Sequence, residues 1–270
     1  MSPLSRAPFL CDIHDLMILA EQVKAGNIRA VSRLISLLEN HPGGREVLRL
    51  LNSASWGTRV IGVTGYPGAG KSTVVNRLVS FYRRQGLKVG VLAVDISSSV
   101  TGGALLGDRI RMQEHALDHG VYIRSMATRG HHGGLAQATG DAALVLGAAG
   151  YEVILIETIG VGQNEVDIVD VAHIVVAVVA PGLGDEVQAM KAGLLEVAHI
   201  IVVNKGDLPD ADNTVRDLRE WCPNVLRTIA TTGEGIPQLA AAMTAYQQPG
   251  GVGQSVKLEP TDVPNHGSLV

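Results

Sequence analysis

The chain has 270 residues, 46% of them hydrophobic, and a net charge of −4. That length accommodates one sizeable α/β domain and a small accessory segment, and the acidic balance leaves no electrostatic footprint for nucleic acid. Aromatic residues make up only 3% while 32 glycines accompany abundant Val, Ile, Leu and Ala, a composition suited to aliphatic parallel strands joined by tight loops. Cys11 and Cys222 lie far apart with no metal-ligand spacing and read as reduced thiols of a reducing compartment, the cytoplasm. The N-terminus has a broken apolar run and makes a poor signal peptide. His173–Ala180, the most apolar stretch, is too short to span a bilayer, so no membrane association is expected.

In chain order, residues 1–56 read as a helical extension. Leu16, Leu19, Ala20 and Val23 share one helix face, and Ile28, Val31, Leu34, Ile35 and Leu38 share the next, with Gly26–Asn27 between them. A packing appendage and a partner-binding element are equal readings of it. Residues 57–247 then alternate strand, loop and helix. Strands are expected at Val60–Thr64, Lys88–Asp95, Val121–Ser125, Val153–Glu157, Ile174–Ala180, Ile200–Asn204 and Val225–Ile229. Helices are expected at about Lys71–Gln85, Gly107–His119, Leu135–Ala149, Glu186–Val197, Asn213–Trp221 and Gly235–Tyr246. This β–α alternation implies a mostly parallel sheet flanked by helices, with ligands at the carboxyl ends of the strands. Residues 248–270 contain Pro249, Pro260 and Pro264 without periodicity and are expected to be a disordered tail.

Gly65-Tyr66-Pro67-Gly68-Ala69-Gly70-Lys71-Ser72 follows a strand and opens a helix, with Thr73 next. It matches G-x-x-x-x-G-K-[ST]. Glycines let successive backbone N–H groups turn inward as an anion nest, and the helix N-terminus adds partial positive charge. Lys71 is placed to bridge terminal phosphates and the Ser72 hydroxyl to ligate Mg²⁺. An ordinary glycine-rich turn would need neither the Lys-Ser pair nor the aliphatic strand before it.

Asp95 and Glu157 each end a strand, so both reach the sheet edge where the phosphates would sit. There a carboxylate holds Mg²⁺ directly or through water. Glu157-Thr158-Ile159-Gly160 has the form of a switch whose Gly160 N–H would contact a γ-phosphate and relax after hydrolysis. Asp108 and Arg109 close a glycine-rich segment, 101–109; roles toward metal and phosphate and a structural salt bridge are even readings of them. His131-His132 reads as a loop pair rather than a metal site, since adjacent histidines diverge and no third ligand stands nearby.

Asn204-Lys205-Gly206-Asp207 follows an apolar strand and matches N-K-x-D. A carboxylate at Asp207 accepts from the ring N–H and exocyclic amine of guanine, whereas adenine offers it a lone pair. Discrimination of this kind reaches about 10⁴–10⁵-fold at best. Asn204 would tie neighbouring loops together and the Lys205 stem would cover the base. Ala230 and Thr231, after the final strand, lie where a second base-contacting loop is expected.

Thr64–Thr73, Ala93–Arg111, Arg129–Leu135, Ile156–Glu165, Gly182–Gly193 and Val202–Asp207, in this order and spacing, resemble the MeaB/ArgK GTPases, which include proteins labelled as LAO/AO transport ATPases. The likeness spans roughly residues 12–246. It implies a P-loop fold, GTP/GDP and Mg²⁺ as cofactors, and Lys71, Asp95, Asp108, Glu157 and Gly160 as the catalytic set. Ser72, Asp95, Asp108 and Glu157 are the implied metal set. It further implies a switch at Gly182–Lys191 with Asp185 and Lys191 as polar members, and a GTP-gated chaperone that protects and loads an adenosylcobalamin-dependent acyl-CoA mutase of the methylmalonyl-CoA mutase type. A homodimer is implied too, formed in the family through a longer C-terminal helical arm where this chain has its Pro/Gly-rich tail. Ile96 replaces a usual proline and Ile229 a usual serine. A kinase of the transport-associated ArgK type and a non-hydrolysing nucleotide-dependent scaffold are the alternatives. Val161, not glutamine, follows Gly160, so slow intrinsic hydrolysis accelerated by a partner is expected.

Overall fold

The computed structural model describes residues 13–40, 46–51, 57–95, 113–115, 117–127, 139–158, 166–182 and 197–246. Seven strands form one all-parallel sheet: β1 (Arg59–Thr64), β2 (Val89–Asp95), β3 (Val121–Ala127), β4 (Val153–Glu157), β5 (Ile174–Val179), β6 (Ile200–Val203) and β7 (Val225–Arg227). Their order is β3-β2-β4-β1-β5-β6-β7. β4, β5 and β6 are buried along their whole length. Continuous Val/Ile runs are what strands covered on both faces require.

The two faces are separated by strand parity. Ile61, Val63, Val91, Leu155, Val176 and Val202 pack with α4 (Lys71–Arg84) and α7 (Ile236–Ala245). Val60, Leu92, Ile154 and Ile156 face the other way, toward α5 (Thr139–Ala148) and an outer layer of three helices, α1 (Ile13–Lys24), α2 (Ile28–Asn40) and α3 (Glu46–Leu50). On that same side α6 (Ala211–Arg219) covers Ala177, Val179, Ile201 and Val203.

The N-terminal helices therefore share one apolar cluster with the sheet. Asn27 starts α2 by accepting the N–H groups of Arg29 and Ala30 at 3.0 and 3.1 Å, the N-cap role its short polar side chain suits. Val31, Leu34, Ile35 and Leu38 are buried as the periodicity predicts, whereas Ile28, the first residue of the helix, is 45% exposed at the rim of the contact. Polar contacts add to this apolar seam: Arg124 of β3 pairs with Glu39 and donates to Ser36 Oγ of α2, and Tyr122 and Ser32 share a hydrogen bond.

Three boundaries depart from the sequence expectation. The helix expected to run to His119 is, among the described residues, a 3-10 turn at Gln113–His115 followed by turns. β7 stops at Arg227, because Ile229 turns away to bridge Glu234 in antiparallel fashion. β6 stops at Val203, before Asn204, whose side chain is used elsewhere. Residues 186–196 of the helix expected at Glu186–Val197, residues 135–138 of the helix expected at Leu135–Ala149, and the tail lie outside the described residues. No described helix is long and apolar enough to cross a membrane.

Candidate nucleotide site

Sheet register brings the strand ends into one line. Val63 pairs with Glu157, Ala93 pairs with Glu157 from the other side, Val179 with Val203, and Val203 with Arg227. The loops after β1, β4, β6 and β7 therefore open onto the same carboxyl edge, with β1 central.

The loop after β1 has a backbone that side chains would obstruct. Gly65 has φ 131°, and a Cβ there would stand 2.0 Å from the Val178 carbonyl oxygen. Gly70, at φ 94°, would press a Cβ to 2.3 Å from Asn204 Nδ2. Both positions require the missing side chain. Gly70 also begins α4 without a side-chain cap, and the N-terminus of this helix turns its partial positive charge toward the loop, where an anion is favoured. Lys71 is buried, and its ammonium donates to the Gly65 and Tyr66 carbonyls at 2.7 and 3.1 Å. It thus folds back over the loop whose phosphate it is expected to meet.

Ser72 follows in the first turn of α4, its hydroxyl donating to Glu157 Oε1 at the end of β4 at 2.5 Å. Glu157 is 6% exposed. Next to it, Thr158 N–H bonds the Val63 carbonyl at 3.0 Å and its hydroxyl bonds Thr64 Oγ1 at 3.1 Å, anchoring the end of β4 to the start of the phosphate loop. A hydroxyl and a carboxylate in contact are hard oxygen donors, and Mg²⁺ typically takes one or two such protein ligands, keeping waters and substrate phosphates for the rest. The donor set fits that ion. Among the described residues, no group of three His, Cys, Asp or Glu is placed to hold a metal ion.

Asn204 is the junction of the base side. Its Nδ2 donates to the Ala69 carbonyl at 2.9 Å, and its Oδ1 accepts from Thr228 Oγ1 at 3.1 Å and from Ala230 N–H at 3.0 Å. One buried amide thus joins the phosphate loop to the loop after β7. Lys205 is the one non-glycine residue at positive φ among the described residues, at 57°, and Gly206 N–H bonds the Thr228 carbonyl at 2.9 Å. Lys205 and Asp207 are both exposed, which leaves the two side chains expected to meet a base accessible to one.

Of the expected site residues, Gly65–Thr73, Glu157, Asn204, Lys205, Asp207, Ala230 and Thr231 stand on this edge. Asp95 ends β2 there, but its side chain lies outside the described residues, as do Asp108, Arg109, His131, His132, Gly160, Val161, Asp185 and Lys191. Two residues escaped the sequence reading: Thr228, which bonds Asn204, and Arg77 of α4, which donates to the Ala230 and Thr231 carbonyls at 2.8 and 2.5 Å. Thr228 carried a faint signal, a threonine near the end of the apolar strand expected at Val225–Ile229, which the structure ends at Arg227. Arg77 carried none.

A parallel sheet whose central strand runs through this loop into a helix is the fold of the P-loop nucleoside-triphosphatases. A crystal structure of a LAO/AO transport system kinase shares it, with TM-score 0.64 and 27% identity over 87% of this chain and 76% of that one. The family model described as methylmalonyl Co-A mutase-associated GTPase MeaB matches residues 31–255, and the chain belongs to that family of P-loop GTPases. A candidate GTPase of Pyrococcus abyssi is 52% identical over 82% of this chain and 72% of its own length. The Mus musculus protein named methylmalonic aciduria type A homolog, mitochondrial, is 39% identical over 69% of this chain and 48% of its own length. Guanine nucleotide is therefore its ligand and GTP hydrolysis its reaction.

Proposed function

We propose that this chain uses GTP hydrolysis in the cytoplasm to guard and load an adenosylcobalamin-dependent acyl-CoA mutase. The observation that carries the nucleotide half is the contact of Ser72 with Glu157 beside the phosphate loop; membership of a family named for association with methylmalonyl-CoA mutase supports the partner half.

The residues divide the work. Backbone N–H groups of the phosphate loop, Pro67 having none to give, and of the first turn of α4 receive the β-phosphate. Lys71 exchanges its two loop carbonyls for phosphate oxygens, so that its charge is delivered only when the triphosphate arrives. Ser72 and Glu157, with Asp95 and Asp108 as further acids, would hold Mg²⁺, which neutralises charge on the transferring phosphoryl group. Asp207 accepts from the guanine N1–H and 2-amine, and Lys205 covers the ring. Gly160 N–H reports the γ-phosphate to the partner. With Val161 in place of a water-orienting glutamine, basal turnover is slow and rises when the mutase orders the loops.

The test is capture on the GTP-analogue-bound chain, scored for a cobalamin enzyme, together with GTP hydrolysis with and without that enzyme. Nucleotide-dependent capture and faster hydrolysis are expected; a fast basal rate indifferent to any mutase would overturn the partner role. The 27%-identical LAO/AO transport system kinase favours one rival reading, phosphoryl transfer to an acceptor. Labelled γ-phosphate decides between them: free phosphate supports hydrolysis, a labelled acceptor supports the kinase.

A further inference from the structure

The turn after β7 is held with unusual completeness. The Ile229 N–H bonds the Glu234 carbonyl, and the Ala230 N–H bonds Asn204 Oδ1. The N–H groups of Thr232 and Gly233 both bond the Ile229 carbonyl. Within this run the Thr231 N–H alone has no acceptor among the described residues. On the carbonyl side, Arg77 takes the oxygens of Ala230 and Thr231 in consecutive bonds from Nε and Nη2.

The Ala230 carbonyl and the Thr231 N–H belong to one peptide unit. That unit is planar and trans, so its N–H points opposite to its C=O. By drawing the carbonyl toward α4, Arg77 aims the Thr231 N–H away from α4. A cation on the carbonyl also polarises the peptide and strengthens its N–H as a donor. Asn204 fixes the preceding peptide, and the second bond from Arg77 fixes the following one.

We propose that Arg77 is a positioning residue for base recognition: it orients the 230–231 peptide so that its N–H meets the 6-oxo group of a purine. Adenine presents a 6-amino donor to the same N–H, and two opposed donors repel. The inference rests on the base-reading role proposed above for Asp207 and on the sequence expectation that this turn is a second base-contacting loop. It adds a division of labour. Asp207 reads the ring N–H and the 2-amine, whereas the turn held by Arg77 reads the oxygen at position 6. Arg77 reaches the base only through backbone, from the same helix that begins at the phosphate loop.

Equilibrium binding of GDP, IDP, ADP and pyrophosphate to the full chain separates the two parts. IDP keeps the 6-oxo group and lacks the 2-amine. In Arg77→Met, GDP and IDP are expected to weaken together by about tenfold, with ADP and pyrophosphate unchanged and the GDP:IDP ratio preserved. Arg77→Lys, which keeps the charge and one contact, should fall between; it carries the same comparison alone if Arg77→Met does not fold. Asp207→Asn should instead collapse the GDP:IDP ratio. An Arg77→Met protein that keeps the wild-type preference for GDP over ADP overturns the proposal, and so does one that weakens all four ligands alike, because that marks damage to α4. A wild-type chain that does not distinguish GDP from ADP defeats the base-reading role itself, a result separable from either of those.

Discussion

The two edges of the sheet use buried polar groups for different ends. Among the described residues, Thr64, Lys71, Glu157, Thr158, Asn204 and Thr228 are buried polar side chains at the carboxyl edge; only Thr139 and Asp141, at the start of α5, are buried polar side chains elsewhere. At the amino edge two histidines repeat one device. His173 Nδ1 accepts the Val60 N–H at 2.9 Å while its own N–H bonds the Val60 carbonyl, and His199 does the same to Val175. Both sit in the string Val-Ala-His-Ile, at 171–174 and 197–200. There the polar group finishes a ladder and serves the sheet. At the carboxyl edge polar groups join loops to one another, and the glycines at positive φ and a left-handed Lys205 give those loops conformations that few other residues adopt. Substitutions should therefore cost folding at one edge and binding at the other.

Gly65→Ala is the sharpest way to break that division, because Gly65 opens the phosphate loop directly after β1 and lies against the backbone of β5 at Val178. A Cβ 2.0 Å from a backbone oxygen at φ 131° cannot be relieved by rotating a side chain. A stability loss of about 3 kcal/mol or more is expected in denaturant titration, along with loss of GDP binding; wild-type values for both would show that the loop is not built as described. Lys71→Ala comes next and should separate the two properties. Nucleotide affinity should fall by about 100-fold or more, equivalent to about 2.7 kcal/mol, while the nucleotide-free melting temperature moves by a few degrees only. Asp207→Asn is smaller and purely selective. GTP should weaken by roughly tenfold against XTP with no change in stability, measured by competition between the two nucleotides.

Much of this edge is legible in the chain itself, for reasons that differ by residue. The phosphate loop is readable because glycine, lysine and serine there answer local needs of backbone and charge, and an aliphatic strand precedes them. The Ser72–Glu157 contact is less so. Glu157 can be placed at a strand end and Ser72 at the start of the helix after β1, but their meeting depends on β4 lying beside β1, and alternation of strands and helices does not state the order of strands. Strand ends are misjudged where a side chain or a turn takes over the ladder, as at Ile229. Arg77 is illegible because its partners are main-chain carbonyls 153 and 154 residues away, and a carbonyl is the same in every residue type.

The smallest expected effect tests the amino edge alone. Burial pushes the imidazoles of His173 and His199 below the ordinary histidine value of 6.5, and the Arg59 guanidinium adds to the shift at His173. A proton on Nδ1 would also set two donors against each other, ring N–H facing Val60 or Val175 N–H. The folded form thus prefers the neutral ring more strongly than the unfolded chain does. Its contribution is complete above pH 6.5 and is lost as pH falls from there through the depressed folded values. Asparagine places an acceptor oxygen close to where Nδ1 stands and does not titrate. The His173→Asn/His199→Asn double variant should therefore show a flatter decline of melting temperature between pH 7 and 5 than the wild type, with GDP affinity at pH 7.5 unchanged. Parallel declines would mean that the two rings carry none of the acid sensitivity. A change in GDP affinity would mean that the two edges of the sheet are coupled, and the division between them would have to be given up.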